Sequence, residues 1–173
     1  MSTEIKQETE QTEEQSPEQI RADVAERLSE KRREQIQEDL ESAEKTIQLK
    51  VFRYDPEIEG KQEPRFDSFT VPFHKGMTVL DALIYARDKY DSSLTFRHSC
   101  RQAVCGSDAL FVNGSQMLGC KTQLADLESP IRIEPLPHQE VVKDLVVDME
   151  HFYDQMHAVE PYFDADELPE DGL

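Results

Sequence analysis

The sequence predicts an α+β domain of the β-grasp type, and three observations carry that expectation. Residues 46–54, 66–73 and 130–136 alternate apolar and polar side chains, the period of a half-buried strand. A capped helical stretch runs from Thr78 to about Tyr90, between the second and third of these segments. Asn113-Gly114, a strong tight-turn pair, joins Leu110-Phe111-Val112 to a short returning strand that ends at Cys120. The order therefore begins ββαββ, which suits a small mixed sheet packed on one central helix.

Taken in order, residues 1–45 form an acidic arm rich in Glu, Gln, Lys and Arg. Ser16-Pro17-Glu18 has the form of a helix start, with Ser16 as cap and Pro17 in the first turn. Ile20, Val24, Leu28, Ile36 and Leu40 recur at roughly helical spacing, but the stripe is thin, so a solvated or partly disordered helical arm is expected. A helix docking on a partner subunit is the alternative. The composition changes at Thr46. Thr46–Tyr54 and Phe66–Phe73 then read as an antiparallel hairpin around the turn-prone Asp55-Pro56 to Gly60 stretch. His74-Lys75-Gly76 breaks the pattern, and Thr78 with Asp81 offers a capping box. Val79, Leu80, Leu83, Ile84 and Ala86 form the apolar stripe of the helix that follows.

Leu94–Ser107 has the Gly, Ser and Cys content of a binding loop. Pro130–Leu136 is an alternating strand closed by prolines, and Val141 to about Val159 is expected to be one amphipathic helix. Leu145, Met149, Phe152, Tyr153 and Met156 would share one side of it. Residues 46–160 thus make the sheet domain, and 161–173 an acidic tail or linker.

Charge narrows the function. A formal net charge of −18 disfavours nucleic acid, whose phosphates demand Lys and Arg, and equally disfavours anionic lipid head groups. The acidity continues through the body of the chain, at Asp55, Glu57, Glu59, Glu63 and Asp67, as on surfaces adapted to salt. The chain has no run of about 18 apolar residues, and its acidic start is unlike a secretory signal, so a cytoplasmic location is expected. The 3 cysteines all fall between positions 100 and 120, a poor disulfide framework and a natural metal site in a reducing compartment.

That motif carries the chemistry. Cys100, Cys105 and Cys120 match three positions of the C-x4-C-x2-C pattern with its distant fourth ligand, and Asp108 stands where the third cysteine would be. A carboxylate is an anionic iron ligand harder than thiolate, so it would alter the potential of a [2Fe–2S] cluster. Backbone N–H groups around Gly106 and Ser107 would approach the sulfides, and Arg97 and Arg101 would offset the negative charge or face a redox partner. Zinc on the same four residues is a rival, although zinc sites favour C-x2-C knuckles. Inert thiols in a metal-free interaction module are another. His98 lies in the loop without the second histidine that a Rieske-type centre needs, and His74, His138, His151 and His157 have no ligand spacing. With neither a Gly-rich phosphate loop nor a nucleophile elbow, electron transfer is the expected activity.

Ser99-Cys100-Arg101, Val104-Cys105-Gly106-Ser107-Asp108, Asn113-Gly114 and Leu118-Gly119-Cys120 together resemble the N-terminal domain of succinate dehydrogenase and fumarate reductase iron–sulfur subunits. Val51–Pro56, Thr78–Leu83, Pro135-Leu136-Pro137 and Lys143–Asp148 fit the same family, so that the likeness spans roughly residues 46–162. Several members of that family carry Asp at the position of Asp108. The resemblance implies a ferredoxin-like fold and a [2Fe–2S] cluster. It also implies an FAD-containing partner subunit, electron flow toward quinone, and peripheral membrane association through anchor subunits. Family members continue into a second domain with further clusters, so a chain ending at Leu173 is expected to be truncated; a separate second polypeptide or a stand-alone carrier are the alternatives.

Overall fold

The computed structural model describes residues 17–161. The chain divides into two units, residues 1–41 and 42–173.

In the first, helix α1 (Pro17–Ser42) starts at the expected proline. Residues 1–16, Ser16 among them, lie outside the described residues, as do the side chains of Ile20 and Val24. The helix stabilises itself along its polar surface. Gln35 Nε2 donates to Asp39 Oδ1 at 3.0 Å and Gln37 Nε2 to Glu41 Oε1 at 2.9 Å, both i,i+4 pairs. Of the stripe's described side chains, Leu28 is 58% exposed, and Ile36 and Leu40 are half-buried.

The second unit is built on the expected hairpin. Strands β1 (Lys45–Arg53) and β2 (Arg65–Phe73) pair antiparallel, with Leu49 opposite Phe69 and Val51 opposite Asp67. Ile47, Leu49 and Val51 alternate inward and are buried, as period-2 geometry requires. Strands β3 (Ala109–Val112) and β4 (Ser115–Leu118) form a second hairpin. Its turn residues Asn113 and Gly114 both have positive φ, +46° and +85°, the geometry that favours Asn-Gly. Strand β5 (Ile131–Glu134) joins the two hairpins, parallel to β1 and antiparallel to β3, giving the sheet order β2-β1-β5-β3-β4.

Helix α2 (Val79–Tyr85) covers the sheet. The capping box forms as expected: the Asp81 amide donates to Thr78 Oγ1, and the Thr78 amide to the Asp81 carboxylate. Val79, Ala82, Leu83 and Ala86 share one apolar cluster with Ile47, Leu49, Val51, Val71, Val112, Ile131 and Ile133. The helix does not run on in α geometry to Tyr90. A π turn spans Ala86–Tyr90, closed by the Asp91 amide on the Ala86 carbonyl at 3.1 Å. The widened turn lets Tyr90 Oη donate to the Thr70 carbonyl at 2.6 Å and carries Asp91 to Arg53.

The expectation of one helix from Val141 to Val159 is corrected. The structure forms a small antiparallel pair there, β6 (Val141–Lys143) and β7 (Val146–Val147), followed by helix α3 (Glu150–Val159). Four valines in this stretch favour extended backbone. Asp144 adopts φ +46° at the turn, a conformation that its buried carboxylate secures by hydrogen bonds described below. Residues 162–173 lie outside the described residues.

Candidate metal centre

Strand β4 ends at Leu118, and Gly119–Thr122 then passes over the first turn of α2. The helix N-terminus has amides without intrahelical partners, and this segment supplies them: Leu80 donates to the Gly119 carbonyl at 3.0 Å and Val79 to the Thr122 carbonyl at 2.9 Å. Cys120 is thereby held between two anchored carbonyls.

The other three candidate ligands sit on the loop before β3. Residues 96–100 have no regular structure, and Arg101 and Ala103 take positive φ, +56° and +57°, as does Gly106 at +70°. These left-handed residues curl the backbone so that amides face sulfur. The Gln102 and Cys105 amides both donate to Cys100 Sγ at 3.4 Å, and the Ala103 amide donates to Cys120 Sγ at 3.3 Å. Donors to sulfur thus come from Gln102, Ala103 and Cys105, with the Ser107 hydroxyl and backbone acting on Cys105, while the Gly106 carbonyl accepts from the Ala109 amide at 3.1 Å. The exposed Cys105 thiol is drawn down to about 6, first by the Ser107 hydroxyl and then by Cys100.

Asp108 is buried, 3% exposed, and its Oδ2 accepts the Cys120 amide. The same carboxyl raises the Cys120 thiol above its ordinary value, with burial adding to the effect. The Gly119 amide donates to the Asp108 carbonyl at 2.9 Å, which closes the loop against β4.

The four side chains therefore fall into two pairs, Cys100 with Cys105 and Asp108 with Cys120, bridged where the Ala103 amide of the loop reaches Cys120. Among the described residues no three His, Cys, Asp or Glu side chains group as a single metal ion would need. Two pairs with amides aimed at sulfur fit a two-metal, sulfide-bridged core better than one tetrahedral ion. Arg97 and Arg101 are exposed on the loop, and His98 stacks obliquely with Phe96 at 5.7 Å. Arg53 and Asp144, buried beneath the start of the loop, were not singled out from the sequence as part of this site. The signal for Arg53 was its register: it falls on the inward face of β1 with Leu49 and Val51.

A groove of about 1140 Å³ runs from Cys105 and Ser107 past Met117 to Met149, Phe152 and Tyr153.

A β-grasp sheet with a thiol-bearing, amide-rich loop at its end defines a ferredoxin-like domain. The family of 2Fe-2S iron-sulfur cluster binding domains matches residues 48–154, more than half of the chain, and this protein belongs to it. Its cofactor is accordingly a [2Fe–2S] cluster. The chain is 44% identical over 121 residues to the fumarate reductase iron–sulfur subunit of Haemophilus influenzae, covering 70% of this chain and 46% of that protein. It is 42% identical over 123 residues to the succinate dehydrogenase iron–sulfur subunit of Paracoccus denitrificans, covering 70% and 47%. The fumarate reductase iron–sulfur subunit of Mycobacterium tuberculosis is 42% identical over 129 residues, covering 73% and 51%. The chain thus spans about half the length of the curated relatives it matches. The Mycobacterium smegmatis Sdh1 complex in the apo form contains a chain of the same fold, with TM-score 0.62 and 23% identity, covering 73% of this chain and 52% of that one. The resemblance read from the cysteine loop is borne out.

Proposed function

We propose that residues 46–160 carry the [2Fe–2S] cluster on Cys100, Cys105, Asp108 and Cys120. In this reading the chain passes single electrons between an FAD-containing subunit that interconverts succinate and fumarate and further carriers leading to quinone. The observation that supports this most directly is the arrangement of two ligand pairs, with the Gln102, Ala103 and Cys105 amides directed at sulfur. A [2Fe–2S] cluster takes up and releases one electron at a time.

The residues of this chain do the rest. Amide donors spread the negative charge of the thiolates, and the Ser107 hydroxyl favours the thiolate of Cys105 at neutral pH. Asp108 supplies a hard oxygen ligand from a buried position, with its second role being to hold the Cys120 amide. Exposure of Arg101, Gln102 and Val104, the last at 82%, leaves the loop open to the partner that delivers electrons. The groove beside Cys105 offers a separate surface for the carrier that removes them. Among the described residues no helix is long and apolar enough to cross a membrane, so association with the inner face of a membrane would come through the complex.

The test is low-temperature EPR and visible absorption on anaerobically purified protein, before and after dithionite, with iron and sulfide analysis. A brown protein with equal iron and sulfide and an S = 1/2 signal on reduction is expected. Cys105→Ala is expected to lose the cluster, and Asp108→Cys to keep one at a shifted potential. Full iron and sulfide in Cys105→Ala would remove that residue from the ligand set; colourless protein holding zinc would overturn the electron-transfer reading. Capture of the FAD-containing subunit at the salt concentration of the cell tests the partner.

A further inference from the structure

A charged side chain sits where the sequence pattern calls for an apolar one. Arg53 follows Leu49 and Val51 on the inward face of β1 and is 2% exposed. Its Nε donates to Asp144 Oδ1 at 3.0 Å, Nη1 to Asp91 Oδ2 at 2.7 Å and to Asp67 Oδ2 at 3.2 Å, and Nη2 to Ser93 Oγ at 2.7 Å. Burial works against the charge on Arg53, but the bonds to Asp91 and Asp144 more than compensate.

Asp144, 1% exposed, extends this hub to the backbone. Its Oδ1 also accepts the Tyr54 amide at 3.0 Å, and its Oδ2 accepts the Thr95 amide at 2.9 Å. The Leu145 amide donates to the Thr95 carbonyl at 3.2 Å, so both polar groups of the Thr95 backbone are held by the β6–β7 turn. Thr95 is the last residue pinned in this way before the irregular stretch that leads to Cys100. The far end of the same loop is pinned by Asp108 on the Cys120 segment. Between the two pins, three residues with positive φ set the direction of each amide, so a shift at either pin would turn the donors away from sulfur.

We propose that the buried Arg53–Asp144 pair is a positioning device for the cluster loop: through Thr95 it fixes where the loop begins, and thereby the aim of the amides that face sulfur. This rests on the cluster reading above. A buried ion pair in which each guanidinium nitrogen is hydrogen-bonded is worth little to stability against an apolar replacement, yet it fixes geometry strictly. Residues that orient the groups around a metal site act by that route.

The experiment compares Asp144→Asn with Asp67→Asn in the full chain. Both substitutions remove a carboxylate from Arg53, but only Asp144 also holds the loop. In Asp144→Asn, an amide whose oxygen stays with Arg53 and Tyr54 turns its NH2 toward the Thr95 amide, donor against donor. The expected result is that Asp144→Asn shifts and broadens the EPR signal of the reduced cluster, moves its midpoint potential, and speeds hydrogen exchange at the Thr95 amide roughly tenfold. Asp67→Asn is expected to leave all three at their wild-type values, even where both variants lower the thermal midpoint. Equal behaviour of the two variants would overturn the proposal and reduce the hub to a stabilising element. Should Asp144→Asn fail to fold, Arg53→Lys, which keeps the charge but removes the Nε bond that holds Asp144, takes its place against the same control. If the wild-type chain assembles no cluster, the proposed function falls, and the exchange comparison on the metal-free chain still decides this inference.

Discussion

The β1–β2 hairpin and the cluster loop lie in one domain but are held in opposite ways. Along β1 alternate side chains from Ile47 to Arg53 are buried, and nine consecutive residue pairs of the hairpin keep register from Lys45–Phe73 to Arg53–Arg65. Position there follows from burial, which is strong and undirected. The loop from Phe96 to Ser107 buries almost nothing; Arg101, Gln102, Val104, Cys105, Gly106 and Ser107 are all exposed. Its shape depends on two polar pins and three left-handed residues. A site that must present donors to sulfur and stay open to partners is better built from directed bonds than from apolar packing, because packing would close it.

The largest effect expected from breaking this contrast is in the sheet. Leu49 is 0% exposed at the centre of the apolar cluster, so Leu49→Ala is expected to cost about 2–5 kcal/mol, read as a fall in the urea midpoint. A cost below about 1 kcal/mol would mean that burial does not dominate the hairpin.

Acid should act next, and on the carboxylates bonded to Arg53 and Lys143 that are held low rather than on the core. Burial would raise Asp91, but hydrogen bonds from Ser93 and Arg53 outweigh it and hold the carboxyl well below its ordinary value. Asp55 is also lowered, first by its hydrogen bond to Lys143, whose ammonium lies 2.7 Å away. Depressed carboxylates add stability that is fully present above their unfolded values, near about pH 4, and is lost as pH falls through the folded ones. Unfolding of the metal-free chain is therefore expected to become easier below about pH 4, with a shallower pH slope in Asp91→Asn. An unchanged slope in that variant would remove Asp91 from the acid response.

Much of the hairpin was legible in the sequence because alternation is a local signal that burial repeats at every second residue. Thr78 and Asp81 were legible for a similar reason: a capping box needs only four consecutive positions. The cysteine loop was legible as chemistry, since ligand spacing survives without knowledge of backbone shape. The Val141–Lys143 segment was not, because its apolar spacing fits a helix as well as a pair of short strands. Long-range bonds decided it, the Asp144 amide meeting the Tyr54 carbonyl at 2.8 Å across 90 positions of sequence. The π turn at Ala86–Tyr90 escaped for the same reason, being set by where Tyr90 and Asp91 must reach.

A smaller effect sharpens the loop's side of the contrast. Gly106 has φ +70°, and a side chain there would meet nothing within 4 Å. Gly106→Ala therefore isolates backbone strain from crowding, at a cost of about 1 kcal/mol. Comparing its urea midpoint with that of wild type, with and without the cluster, checks this. A cost as large as that of Leu49→Ala would mean that the loop is packed after all.

The smallest effect is expected at Leu28 in α1. The helix carries glutamine–acid pairs one turn apart, each worth a few tenths of a kcal/mol, roughly 0.2–0.5. Leu28, 58% exposed in the middle of the helix, removes little apolar area from water. Leu28→Ala should then change the denaturation midpoint by no more than about 0.5 kcal/mol, and because alanine is the better helix former it should leave the far-UV circular dichroism unchanged or slightly stronger. The measurement separates two origins of helical order. A near-zero cost means that α1 stands on its own backbone and surface pairs. A loss above about 1 kcal/mol would mean that something covers Leu28 in solution, and the apolar stripe would then have to be read as a contact face.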